Sequence, residues 1–264
     1  MFPASLPVRL PEERQRVIVE RLRGGGRVLA ADLAREFGIS EDTIRRDMRE
    51  LAAAGLCERV YGGVLPLSPA SGPLTQRQEQ ARPRKLALAA RCIELLQPGQ
   101  LILIDAGSTN SAIAELLPDS LRLTVVTNAP SIAALLAPRR GIETIVIGGP
   151  VDWRTGASIG SRAVRDVSAL RADLCFLGAC SVDARRGLGG FGFEEAEFKQ
   201  AAIAASNAVA VAITNDKIGT GAPYGIASMQ AIAHMVVEYD ADAERLKPFY
   251  GEATQVHLAG APAE

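Results

Sequence analysis

Residues Leu33–Leu56 read LAREFGISEDTIRRDMRELAAAGL, and Glu58–Leu65 follow as ERVYGGVL. Leu29, Leu33 and Phe37 recur at i, i+4 and i+8, which predicts a helix over Val28–Phe37. Gly38-Ile39-Ser40 then makes a tight turn, and the Ser40 hydroxyl suits the cap of a further helix that starts at Glu41. Working outward, Pro11–Arg23 reads as a preceding helix with Val17, Ile18 and Leu22 on one side, ended by Gly24-Gly25-Gly26. Two short helices joined by a glycine-containing turn make a helix-turn-helix.

The helix after the turn has two faces. At ~100° per residue, Ile44, Met48 and Leu51 fall within about 60° of one another and form a buried stripe. Asp42, Arg45, Arg46 and Arg49 cluster opposite, with Asp47 and Glu50 angled away. Arginine matches phosphate and the O6/N7 edge of guanine through its planar fork. Leu56–Tyr61, Gly62-Gly63 and Val64-Leu65 read as a hairpin about a Gly-Gly turn, the wing of a winged helix, with Arg59 beside a nucleic-acid backbone. An arginine-rich helix face is by default only a solvated one. The capped turn, the segregated arginines and the hairpin together favour a DNA-reading surface.

Beyond Leu65 the rhythm changes. Pro66, Ser68, Pro69, Ser71, Gly72, Pro73 and Pro83 interrupt any periodicity, so the chain divides into a winged helix over 11–65, a linker over 66–83 and a larger unit over 84–250. In that unit apolar runs at Leu101–Asp105, Leu123–Thr127, Glu143–Ile147, Leu174–Gly178, Ala208–Ile213 and Met235–Tyr239 alternate with helix-length segments. Near-continuous apolar strands bounded by helices indicate a parallel sheet covered on both faces, an α/β fold. The tail Ala259–Glu264 is Gly/Ala/Pro-rich and is expected to fray.

Ligands of parallel α/β sheets collect outside the carboxyl ends of the strands. Those ends carry Asp105-Ala106-Gly107-Ser108-Thr109-Asn110, Thr127-Asn128, Gly148-Gly149-Pro150, Gly178-Ala179-Cys180-Ser181 and Thr214-Asn215-Asp216-Lys217. Such polar, glycine-rich endings fit a small, hydroxylated, anionic ligand, and a helix beginning at Ser108 offers backbone N–H groups to a phosphate. Lysine is scarce: Lys85, Lys199, Lys217 and Lys247 stand against 25 arginines. The first three either mark places that need a compact ammonium or survive by chance.

The whole chain of 264 residues has a formal net charge of −1, which excludes an indiscriminate polycation. Met1–Leu65 holds 11 basic and 10 acidic residues, so any DNA-binding face comes from charge placement rather than excess. Cys57, Cys92, Cys175 and Cys180 show no C-x-x-C pair, Met1–Arg9 lacks a signal-peptide core, and no run approaches membrane-helix length. A reduced, cytoplasmic protein is expected. With only His234 and His257, a His-rich metal site has little material, and neither metal nor cofactor is expected. Cys175 and Cys180 read as core packing. Trp153 reads either as a lid over a ligand or as a packed side chain.

Two long motifs carry a resemblance. Ser40, Thr43, Ile44, Arg45, Arg46 and Asp47, followed by Arg59, Gly62 and Gly63, are similar to the DNA-binding domain of the DeoR/GlpR family of bacterial transcriptional repressors. The resemblance implies a recognition helix at Glu41–Ala54 in a major groove, with contacts from Ser40, Asp42, Thr43, Arg45, Arg46, Arg49, Arg59, Gly62 and Gly63. Lys85–Tyr239 resembles the sensor domain of the same family, similar in fold to ribose-5-phosphate isomerase and CoA-transferase-like sugar isomerases. The matching pieces are Asp105–Thr109, Thr127-Asn128, Gly148-Gly149, Gly160, Ala172-Asp173 and Glu197-x-Lys199. A phosphorylated sugar or related metabolite is implied as effector, with Ser108 and Thr109 near phosphate, Asp105 near a hydroxyl, and Lys85, Gly107, Thr127, Asn128, Gly148, Gly149, Lys199 and Lys217 around them. Thr214-Asn215-Asp216-Lys217 departs from the family's Asp-x-Ser-Lys. The family reading implies operator DNA as partner and a homodimer or homotetramer. The competing class is a sugar-phosphate isomerase-like enzyme using Asp105 and Lys199 as acid–base groups.

Overall fold

The computed structural model describes residues 10–23, 27–66, 73–251 and 253–262, so the Gly24-Gly25-Gly26 helix stop lies outside the described residues. Helix α1 (Pro11–Arg23) opens on a proline, whose missing N–H is not needed in a first turn, and buries Ile18 and Leu22. Val28–Leu29 are not the start of the second helix but strand β1. They pair antiparallel with the wing, Val28 opposite Val64 and Leu29 opposite Gly63. The approach is so close that a Cβ on Gly63 would run into the Val28 carbonyl oxygen, so the pairing needs glycine there. Helix α2 (Ala30–Phe37) ends at Gly38 in the left-handed region, φ 64°. Helix α3 (Glu41–Ala53) is capped by Ser40, and β2 (Glu58–Val60) and β3 (Gly63–Leu65) form the wing.

The interval expected to be aperiodic holds helix α4 (Leu74–Glu79) and the start of α5 (Arg82–Ile93), while residues 67–72 are outside the described set. Then come β4 (Leu101–Ile104), α6 (Ser108–Leu116), β5 (Thr124–Thr127), α7 (Pro130–Leu136), β6 (Glu143–Val146), a short hairpin of β7 (Val151–Asp152) and β8 (Ala157–Ser158), and α8 (Ser161–Ser168). The chain continues through β9 (Ala172–Leu177), β10 (Ser181–Asp183), β11 (Gly187–Gly190), α9 (Phe193–Ala204), β12 (Ser206–Ile213), β13 (Tyr224–Ala227), β14 (His234–Val237), α10 (Ala243–Leu246) and β15 (Gln255–Leu258).

Seven strands form one sheet in the order β15-β14-β12-β9-β4-β5-β6, and every neighbouring pair is parallel. From β4 the chain winds outward through β5 and β6, then returns to place β9 on the other side of β4 and winds away through β12, β14 and β15. The reversal between β4 and β9 is a topological switch point, where two loops diverge and leave a crevice. Ile102 and Ile104 pack on one face with Leu88, Ile113 and Ile132; Leu103 packs on the other with Val167, Phe198 and Val211. The sheet is thus covered on both sides, α5–α7 on one face and α8–α9 on the other.

Two features differ from the sequence reading. Gln255–Leu258 add a seventh strand beside β14, and Ala259, expected to fray, is buried. A second, antiparallel sheet β10-β11-β13 packs beside the main one. Its middle strand is the Gly-Leu-Gly-Gly run, which has little strand propensity of its own. All four of its residues are buried, and a Cβ on Gly187 would run into the Ala227 carbonyl oxygen, one on Gly189 into the Ser181 hydroxyl. Among the described residues no helix is long and apolar enough to cross a membrane.

Candidate functional site

Two places bring functional side chains together. The first is the outer face of α3. Ser40 Oγ accepts from the Thr43 N–H at 3.3 Å and lies 2.8 Å from Thr43 Oγ1, so both side chains are engaged in fixing the helix start. Ile44, Met48 and Leu51 are buried, while Asp42, Arg45, Arg46 and Arg49 are exposed. Arg45 pairs with Glu41 at 2.7 Å and Arg46 with Glu50 at 3.2 Å. Glu50 is therefore not angled away from the arginine face, as the helical wheel implied; the i,i+4 reach of a long side chain brings it to Arg46. Asp47 turns inward, and its carboxylate takes two hydrogen bonds from Arg14, 2.6 and 3.1 Å. That ion pair ties α3 to α1 in the core of the winged helix. Arg59, Tyr61, Gly62 and Gly63 of the wing line a groove with Arg45 and Met48. Tyr61, at the wing tip, is 97% exposed.

The second place is the crevice where β4 and β9 part. Ser108, Thr109 and Asn110 form the first turn of α6, with Gly107 before it. Asn110 Nδ2 donates to the carbonyls of Asp105 (2.8 Å) and Phe176 (2.9 Å), holding the two strand ends at a fixed spacing. Gly107, Ser108, Thr109, Gly178, Lys199 and Lys217 line one cavity, joined by Arg77, Thr155, Cys180 and Glu195. The Thr109 hydroxyl is buried and has no hydrogen-bond partner. Buried polar groups are ordinarily hydrogen-bonded, so this one stands out among the residues that line the cavity.

The charges around this cavity fall into two sets. Lys199 is 2% exposed and donates to Asp105 and to the Gly178 carbonyl, 2.6 Å away, with Glu195 at 3.4 Å. Burial works against its charge, yet the carboxylates of Asp105 and Glu195 outweigh that and hold its pKa above the ordinary lysine value. Asp105 also accepts from the Gly178 N–H. Acid and base are thus bound to each other. The second set is Lys217 and Arg77, which line this cavity, and Lys85, which lines the cleft beside it. Lys217 is buried, donates to the Ala179 carbonyl at 3.1 Å, and is pushed below its usual pKa by burial, with Arg77 and Lys199 adding to the effect. Lys85 is pushed down to about 8 by burial and by repulsion from Lys217 and Arg77, and it lines a side cleft with Ser108, Asp216 and Lys217. Cations that disfavour one another beside a helix N-terminus are chemically suited to take an anion.

Next to this cavity a second space of about 170 Å³ opens between Asp152, Arg154, Ile159, Phe191 and Phe193, sharing Arg77, Thr155, Cys180 and Glu195 with the first. The remaining expected residues lie behind the cavity. Thr127 Oγ1 donates to the Ile104 carbonyl at 2.6 Å, and Asn128 bridges Ala106 N–H and the Ser158 carbonyl. Gly148 and Gly149 are not among the lining residues. Glu197 is exposed; the acidic partner of Lys199 is Glu195, one helical turn away. Trp153 is 76% exposed, neither packed nor lining the cavity, but sits between two residues that do line it. Cys180 is buried yet lines the cavity, and burial raises its thiol to about 11, out of nucleophilic range at neutral pH. His234 is hydrogen-bonded to His257, 3.1 Å apart, away from both sites.

The chain matches the model of the DeoR-like helix-turn-helix domain over residues 14–69 and that of the DeoR C terminal sensor domain over 80–239. The chain belongs to the DeoR family. It is 32% identical over 237 residues to the HTH-type transcriptional regulator GlpR of Haloferax volcanii, covering 89% of this chain and 92% of that one. It is 30% identical over 221 residues to the glycerol-3-phosphate regulon repressor of Escherichia coli, covering 83% and 88%. Among solved structures it is similar to ribose 5-phosphate isomerase A of Methanocaldococcus jannaschii, at 16% identity and a TM-score of 0.38 over 52% of this chain and 54% of that one. As a DeoR-family member the chain is a DNA-binding transcriptional regulator.

Of the residues singled out in the sequence, Gly107, Ser108 and Thr109 after a strand and the scarce lysines Lys199 and Lys217 share one cavity, which Arg77, Thr155 and Glu195, not singled out, also line. Glu195 had a legible signal, its i,i+4 spacing to Lys199 on a helix. Arg77 had none, because it precedes the first strand and falls in the stretch read as linker.

Proposed function

We propose that this regulator represses carbohydrate-metabolism genes in the cytoplasm and that a phosphorylated sugar or related anionic metabolite sets its operator affinity. The observation that carries this reading is the cavity at the α6 N-terminus, lined by Arg77 and Lys217 together with Ser108 and Thr109, whose buried hydroxyl has no partner, with Lys85 on the adjoining cleft. The phosphate group would take the backbone N–H groups of Ser108 and Thr109 and the Thr109 hydroxyl. The hydroxylated remainder would extend toward Thr155 and Asp152. The name of the Escherichia coli relative, a glycerol-3-phosphate regulon repressor, supports a phosphate ester as effector. On the DNA side, Arg45, Arg46 and Arg49 would enter a major groove and Arg59 would meet the backbone. Two or four copies would present paired recognition helices to paired half-sites.

An isomerase reading would need Asp105 and Lys199 free to exchange protons with a substrate. They are instead buried against each other, and Glu195 and the Gly178 carbonyl hold the same ammonium. The test is a gel shift on a duplex selected by the full chain from a random pool, repeated with sugar phosphates. Release or recruitment of DNA by one of them is the expected outcome; no response to any, or turnover of one, overturns the reading.

A further inference from the structure

Arg77 is the only residue shared by the anion cavity, the adjoining space against Phe191 and Phe193, and the cleft beside Lys85, as far as the described residues show. It is not carried by the α/β sheet or its helices. It comes from α4, the short helix between the winged helix and the sensor, and lies between the two family matches, which end at 69 and begin at 80.

The structure also shows how α4 is held over the cavity. At its start the Leu74 N–H donates to the Arg154 carbonyl, 2.8 Å, and the Leu74 side chain is buried against the β7–β8 turn. A Cβ on Gly156, which has a φ of 68°, would stand 2.6 Å from Leu74 Cδ2, so the turn is shaped to receive that leucine. At the other end the Lys85 ammonium donates to the Arg77 and Gln80 carbonyls and so caps the last turn of α4. Both fastenings belong to the sensor: the β7–β8 turn lines the cavity through Thr155, and Lys85 lines the cleft beside it. Between them Arg77 faces the space shared with Ser108, Thr155 and Lys217.

We propose that Arg77 contacts the effector's phosphate, so that the interdomain helix α4 is itself a wall of the binding site and reports occupancy to the winged helix. The inference rests on the anion-site reading above. Guanidinium suits the role, since its fork takes two phosphate oxygens at once and fixes the helix that carries it in one orientation. Occupancy would tighten α4 against Ser108 and Lys217, and the wing follows in sequence from β3 through Pro66. The wing has a second tie to the same region: the Gly221 N–H, four residues beyond Lys217, donates to the Pro66 carbonyl at 3.3 Å.

The test uses the full chain, inorganic phosphate and ribose 5-phosphate, with two readouts: Trp153 fluorescence for affinity and hydrogen exchange over residues 74–79 for α4. In the wild-type chain phosphate should slow exchange across α4. Arg77→Ala should weaken both ligands by about tenfold or more, the loss expected for a charge-assisted hydrogen bond, and abolish the protection. Arg77→Gln, which keeps most of the side-chain length without the charge, guards against misfolding of the alanine variant and should show the same loss. Unchanged affinity in either folded variant overturns the proposal. If Lys217→Met loses binding while the Arg77 variants keep it, the anion site stands and Arg77 is not part of it. If neither ligand binds the wild-type chain, both readings fall.

Discussion

Arg46 is three-quarters exposed, and its guanidinium meets Glu50 at 3.2 Å on the open face of α3. An exposed pair of this kind contributes little to stability, about 0–1 kcal/mol. Arg46→Ala should therefore leave the thermal midpoint unchanged while weakening operator binding by about 1–3 kcal/mol, the worth of one base contact. Gel-shift affinity equal to that of the wild-type chain would remove Arg46 from the interface. Lys85 gives a second prediction at this scale. Its ammonium faces Arg77 and Glu79 from α4 and Lys217 and Asp216 from the turn after β12, and its pKa lies at about 8. A bound anion favours the charged form, so affinity is held below about pH 8 and declines as the pH rises through that value. Ribose 5-phosphate suits the measurement, because a phosphate monoester has its second pKa near 6 and keeps a constant charge over this range. Lys85→Met should flatten the profile; a profile that stays steep places the titrating group elsewhere.

The winged helix is an element-scale assembly whose orientation depends on one buried ion pair. Arg14 and Asp47 are 7% and 4% exposed, and their two hydrogen bonds join α1 to the recognition helix. The carboxylate's hydrogen bond raises the Arg14 pKa in spite of burial. Removing one partner strands the other charge, so Asp47→Ala should cost about 3–5 kcal/mol in urea denaturation of the full chain. Loss of DNA binding should follow even though Asp47 touches no DNA. Asp47 also shows how far the sequence could be read. The family motif and the helical wheel marked Asp47 as a residue that does not point with the arginines, but they could not say that it points inward, because its partner is 33 positions away. Local signals fared better: the turn at Gly38, Ser40 as cap and the apolar stripe of α3 are all where the sequence puts them. Val28-Leu29 did not follow their helical spacing, because pairing with Gly63 and Val64 supplies backbone partners that local periodicity does not register.

For the whole molecule, the decisive feature is the sheet order that sets β9 against β4. It brings Asp105, Gly178, Glu195 and Lys199 into one buried cluster, with the ammonium held between two carboxylates. Lys199→Ala should destabilise the sensor by about 3–5 kcal/mol, because two buried carboxylates are left without their cation. Urea denaturation checks this, and a loss below about 1 kcal/mol would mean that the pair is not closed. The sequence by itself determined the helix-turn-helix, the arginine face, the parallel α/β sheet and the glycine turn at Gly107–Thr109 that opens a helix. Each of these is written in spacing, capping or strand-end chemistry within about a dozen neighbouring residues. Only the tertiary structure decided that Asp105 and Lys199 neutralise each other, that Thr127 and Asn128 brace the loops behind the cavity, and that Arg77 from the interdomain helix forms part of its wall. Those assignments depend on which distant segments the sheet order and the packing of α4 bring within hydrogen-bonding range, and no local pattern carries that information.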